Sequence, residues 1–109
     1  MAGNTETLTT SSAYGTIDST GAIGTITVKG SKLLDISIDY DTNSFVGTIV
    51  LERETKTGAA NIPEWQAVES YTASTEKVAQ SATTRRYRLN CTVDTSGAAE
   101  YELTAGNFS

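Results

Sequence analysis

The sequence predicts an all-β protein, an antiparallel β-sandwich of immunoglobulin-like or jelly-roll type with seven to eight strands. Three observations lead there. "KLLDISIDY" alternates strictly, with Leu34, Ile36, Ile38 and Tyr40 on one face and Asp35, Ser37 and Asp39 on the other, the period of a strand buried on one side. Thr (19) and Ser (11) are abundant in the 109 residues, and Thr suits a half-wet sheet because it is both β-branched and polar. No stretch carries a convincing helical period, and turn chemistry punctuates the chain at short intervals.

Each element follows from its own residues. Residues 1–13 contain one large aliphatic, Leu8, too little to bury, which predicts a flexible or partner-ordered arm. A single domain then occupies 14–109, long enough for one core and too short for two. "GTITVKG" sets Ile26 and Val28 against Thr and Lys before a turn at Gly30-Ser31. "VGTIVLERE" is apolar on both faces, with Ile49 and Leu51 on one and Val46 and Val50 on the other, as in a central strand or one covered by a partner. "WQAVESYT" and "EKVAQ" follow as strands. "RRYRLNCTV" places Tyr87, Leu89, Cys91 and Val93 inward, and a turn at Thr95-Ser96-Gly97 leads to "AEYELTA", with Tyr101 and Leu103 inward.

Charge and composition exclude several function classes. A net charge of −5 and a pI near 4.5 argue against nucleic acid or an anionic membrane as partner, since phosphate binding needs a concentrated positive surface. The basic cluster Arg85, Arg86, Arg88 puts Arg86 and Arg88 on one strand face, solvated or paired with carboxylates. Cys91 is the only cysteine and reads as a small core residue. The start "MAGNTETLTTSSAYG" has no secretion-signal pattern, which predicts folding in a reducing cytoplasm. The sequons at Asn90 and Asn107 then read as coincidence.

Catalysis is not predicted. The chain has no His, which removes the commonest general base and metal ligand. Carboxylates do share strand faces, as Asp35 with Asp39 at i, i+4 and Glu52 with Glu54 at i, i+2, the latter at the roughly 7 Å spacing of alternate strand residues; exposed faces of acidic proteins offer such pairs routinely. Asp39-Tyr-Asp41-Thr-Asn43 resembles the opening of a calcium loop, but Ser44 and Val50 stand where that motif needs Gly and an acid. A turn between two strands, with Asp41 and Asn43 bonded to nearby amides, accounts for it. No catalytic, cofactor or metal site is expected. Trp65 follows a loop and opens a strand; its size predicts that it caps the core beside Tyr87 and Tyr101, the alternative being an exposed sugar-stacking or protein-contact position.

One order of motifs is more specific. A strand ending in Leu51 and Arg53, a loop, Trp65, the strand end Tyr71-Thr72, the run Tyr87, Arg88, Leu89 and Cys91, and the small-residue turn at Ser96-Gly97 together resemble small β-sandwich virion proteins of tailed bacteriophages, over roughly residues 45–104. The loop "TKTGAANIPE" is longer here than the tight Gly-rich turn of that pattern. The resemblance implies a non-enzymatic virion component made in the host cytoplasm: a capsid decoration (cement) protein on the head surface, with the major capsid protein and copies of itself, as trimer or dimer, for partners. Contacts would then come from the arm and the loop 55–64, with Leu8, Tyr14, Lys56, Asn61, Ile62 and Trp65 as contact residues. The rival is a carbohydrate- or receptor-binding module of a head or tail fibre, which requires Trp65 and tyrosines on one exposed face. A connector or tail-tube component is a third reading, without a helix or long hairpin to support it.

Overall fold

Two long strands organise the molecule. In the computed structural model, which describes residues 4–9, 11–30, 32–55, 64–81 and 84–106, seven strands form one antiparallel sheet: β1 (Thr5–Leu8), β2 (Ser12–Ile17), β3 (Gly21–Val28), β4 (Leu33–Thr55), β5 (Glu64–Tyr71), β6 (Thr75–Gln80) and β7 (Arg85–Gly106). No described residue is helical. β4 and β7 pair along most of their lengths, from Leu33 opposite Gly106 to Arg53 opposite Tyr87. Each bends near its middle. The first half of β4 and the second half of β7 lie in one layer, ordered β1-β2-β7-β4-β6. The other halves lie in a second layer, ordered β3-β7-β4-β5.

The bend is written in matched irregularities. The β4–β7 register slips between Asp39 and Asn43, at Ser44, and between Val46 and Gly47. Ser44 (φ 53°) and Gly97 (φ 75°) both adopt left-handed backbone, which costs an L-residue about 1–2 kcal/mol and suits Gly. Asp39 Oδ1 accepts from the amides of Asp41 (2.8 Å) and Thr42 (3.1 Å), and its second oxygen takes the Thr42 hydroxyl. Residues expected to end strands therefore bend them. Asp39–Asn43 and Thr95–Gly97 are kinks inside continuous strands, which is why four expected strands become two. The anchoring side chain is Asp39, where Asp41 and Asn43 were expected.

One apolar cluster fills the space between the layers. It takes Leu34, Ile36, Ile38, Tyr101 and Leu103 from the first layer and Ile26, Ile49, Leu51, Leu89 and Cys91 from the second, following the alternation that the sequence shows. Burial of each large aliphatic contributes about 1.5–3 kcal/mol. The smallest dimension, 21 Å, fits two layers about 10 Å apart with their outer side chains. Val93 departs from the expected inward set and is exposed, because the register slip between Thr48 and Ile49 opposes Thr48 to Val93 but Ile49 to Cys91. Such an extra residue turns the next side chain over.

The open edges of the two layers are tied across. At one side Glu6 Oε2 accepts the Gly24 amide at 2.8 Å, joining β1 to β3. At the other Lys77 of β6 pairs with Glu69 of β5, which also accepts the Tyr71 hydroxyl at 3.0 Å.

The expected arm is largely a hairpin. β1 pairs β2 from Thr5 opposite Thr16 to Leu8 opposite Ala13, and β2 pairs β7; Ala13 is fully buried. Backbone pairing accounts for this, together with Asn4, whose Oδ1 caps the amides of Asp18 and Ser19 at 2.8 and 2.9 Å. No side-chain burial accompanies this order, since every residue of β1 is exposed. Met1–Gly3 lie outside the described residues.

Candidate functional site

The outer face of the second layer carries the most developed arrangement of side chains. On β4, Ile49 and Leu51 point inward, so alternation turns Glu52 and Glu54 outward; on β7 the same rule turns Arg86, Arg88 and Asn90 outward. Register then sets Glu52 opposite Arg88, and Glu54 opposite Trp65 of β5. Carboxylates on the central strand thus lie between guanidiniums on one neighbour and an indole on the other.

The contacts are continuous. Arg88 Nε donates to Glu52 Oε1 at 2.7 Å, and Asn90 Nδ2 to Glu52 Oε2 at 3.1 Å. Arg86 pairs with Glu54, whose carboxylate holds the guanidinium pKa above its ordinary value. The Arg88 guanidinium lies 4.1 Å from the Trp65 ring centroid and that of Arg86 lies 5.7 Å away, within cation–π range. Glu54 is 7% exposed and Val50, beneath the ladder, 8%. Exposed ion pairs contribute little, but these are partly shielded and share a network, so each holds its neighbours in one geometry.

Trp65 therefore stands outside the core, correcting the expectation that it caps the core beside Tyr87 and Tyr101. Those two tyrosines are buried; Trp65 opens β5 in register with outward Glu54, so its ring covers the arginines. Leu8, 47% exposed, lines a shallow cleft with Thr9, Thr25, Thr27 and Arg86. Leu8 and Trp65 thus flank Arg86 from two sides. Tyr14, 53% exposed, is not with them: it pairs with Glu102 on the outer face of the first layer. Lys56, Asn61 and Ile62 lie outside the described residues.

Comparison with protein-family models, curated proteins and solved structures gives no match.

The carboxylate pairs weighed for catalysis are engaged otherwise. Glu52 and Glu54 are held by arginines, and Asp39 shapes the bend, where its hydrogen bonds to Thr42 and Asp41 hold its pKa below the ordinary 3.8. Among the described residues no group of three Cys, Asp or Glu is placed to hold a metal. Cys91 is buried, its Sγ 3.3 Å from the Val93 carbonyl, and burial raises its pKa. The ladder itself was within reach of the sequence: E-x-E and R-x-R on strands signal aligned faces. What the sequence lacks is the β4–β7 register that brings them together.

Proposed function

We propose that this protein is a non-enzymatic virion structural component, a capsid decoration protein that docks on the outer surface of the head and strengthens contacts between capsid subunits. The observation that carries the reading is the Trp65–Arg88–Glu52 ladder on the outer face of the second layer. Trp and Arg dominate the energetics of protein–protein contacts, and side chains already held in one geometry lose little entropy on docking. The order of strand motifs that resembles phage β-sandwich virion proteins supplies the biological setting. The major capsid protein is the partner, with copies of this chain beside it.

The fibre-tip carbohydrate module is the weaker reading. It requires Trp65 and tyrosines on one exposed face, whereas exposed Tyr14 is on the other layer and the Arg88 guanidinium covers the Trp65 ring at 4.1 Å. The reading is tested by co-sedimentation of the purified protein with capsids lacking it. Saturable binding that Trp65→Ala weakens by about tenfold or more, a loss of about 1.4 kcal/mol, is the expected result; no binding, or binding unchanged by the substitution, overturns it.

A further inference from the structure

Among the described residues four strands are paired on one side only: β1 and β6 border the first layer, β3 and β5 the second. Three of these edges are blunted. β3 and β5 carry register shifts, between Ile23 and Ile26 and opposite Leu51–Glu52, and such bulges spoil an edge for further pairing. β1 has four residues and is tied to β3 through the Glu6–Gly24 bond. β6 has none of these devices. It pairs with β4 in unbroken register from Thr75 opposite Ile38 to Gln80 opposite Leu33, contains no Gly or Pro, and is exposed from Glu76 to Gln80.

The direction of its main-chain groups follows from that register. The Ser81 amide donates to the Lys32 carbonyl, directly opposite, at 3.0 Å, and hydrogen-bonded pairs alternate along an antiparallel ladder. Thr75, Lys77 and Ala79 therefore turn their amides and carbonyls to β4, whereas Glu76 and Val78 turn theirs to the open edge. The Val78 side chain, 59% exposed, shares the outer face with Asp35. An inward-pointing lysine can guard an edge, but the Lys77 ammonium is held by Glu69 of β5.

We infer that β6 is a self-pairing edge whose occupant is β6 of a second copy, antiparallel about a two-fold axis at Val78, so that the first layers of both copies join into one continuous sheet. The residues of β6 select this register. It sets Val78 opposite the partner's Val78, Glu76 opposite the partner's Gln80 and Lys77 opposite the partner's Ala79, with an apolar pair at the centre and no like charges face to face. An axis at Lys77 sets ammonium against ammonium, one at Glu76 sets carboxylate against carboxylate, and one at Ala79 or Gln80 runs the overlap off the strand. The central Val78 pair exchanges main-chain hydrogen bonds in both directions. Each copy carries a net charge of −5, so mutual repulsion opposes the contact, and salt strengthens it by screening. The pairing gives a geometry to the self-association in the reading above and does not depend on the capsid.

The test is sedimentation velocity of the full chain over a range of concentrations, in low and in high salt. The wild type should show a monomer–dimer equilibrium that high salt strengthens. Val78→Lys places two ammonium groups together at the axis and should weaken the dimer at least about tenfold. Under oxidising conditions Val78→Cys should cross-link the dimer, because a hydrogen-bonded pair brings its Cα atoms to about 5.5 Å, within disulfide range. Glu76→Cys, which faces the partner's Gln80, should not cross-link, and buried Cys91 should link in neither. In the wild type the Val78 amide should gain hydrogen-exchange protection as concentration rises, a readout that requires no variant to fold. A wild type monomeric at every salt concentration, a dimer that Val78→Lys leaves intact, or cross-linking as efficient at position 76 as at 78 overturns the inference. Capsid binding by a strictly monomeric protein would refute the pairing and leave the decoration reading standing; dimers that ignore capsids would do the reverse.

Discussion

A Cβ added to Gly97 would stand 2.2 Å from the Ser44 carbonyl oxygen, so the kink of β7 closes directly onto the kink of β4. That contact lets one sheet become two layers. With φ 75° at Gly97, a side chain there meets both backbone strain and a backbone clash. Gly97→Ala should cost at least about 2 kcal/mol, read as a lowered urea midpoint at unchanged m-value. Unchanged stability would mean that the kinks are independent.

Trp65 and Arg88 should be energetically coupled. In a double-mutant cycle with Trp65→Ala and Arg88→Ala, the interaction should be about 0.5–2 kcal/mol. Each single variant should keep the fold, because neither side chain belongs to the core cluster. Strict additivity would show that the stacking has no energetic content.

The acid limb of stability should depend on Asp39. Its pKa is depressed by hydrogen bonds from Thr42 and Asp41, so the ionised form is favoured in the folded state. The contribution is present above the ordinary value of 3.8 and is lost as pH falls through the lower folded value. Asp39→Asn should therefore flatten the fall in urea midpoint below about pH 4. Equal slopes for variant and wild type would remove Asp39 from the account; Glu69, lowered chiefly by its bond from Lys77, acts in the same direction and remains in both.

At the β1–β3 seam the Glu6 carboxylate holds the Gly24 amide. Glu6→Ala should raise the hydrogen-exchange rate of that amide and cost about 0.5–1.5 kcal/mol, the net worth of an ordinary hydrogen bond, since Glu6 is itself exposed. The buried Tyr101 ring beside Gly24 should keep its environment, visible as an unchanged near-ultraviolet spectrum. Unaltered exchange at Gly24 would mean that backbone pairing alone closes the seam.

Cys91 should be inert to thiol reagents in the folded protein. It is buried and its pKa is raised by desolvation, so little thiolate is available. Labelling should proceed only as the protein unfolds and track the global transition; rapid native-state labelling would contradict the packing at β7.

The core was legible where alternation is strict. Leu34, Ile36, Ile38 and Tyr40, then Tyr87, Leu89 and Cys91, then Tyr101 and Leu103, are all buried as their spacing requires. The errors fall where backbone geometry overrides side-chain period. Thr95-Ser96-Gly97 has the chemistry of a turn, and only long-range pairing with β4 keeps it in a strand. Val93 was turned out by one slipped residue. The hairpin at Thr5–Leu8 is held by main-chain bonds and the Asn4 cap, which no hydrophobic pattern reports. The size of Trp65 predicts a place in the core, yet the register that faces it toward Glu54 is a property of the fold.

The location of the protein in an assembled particle tests the account most directly. A density map of the virion should show this sandwich on the outside of the head, with the Trp65 face against capsid subunits. Finding it only at the tail tip, or on the head with that face turned to solvent, would contradict the account.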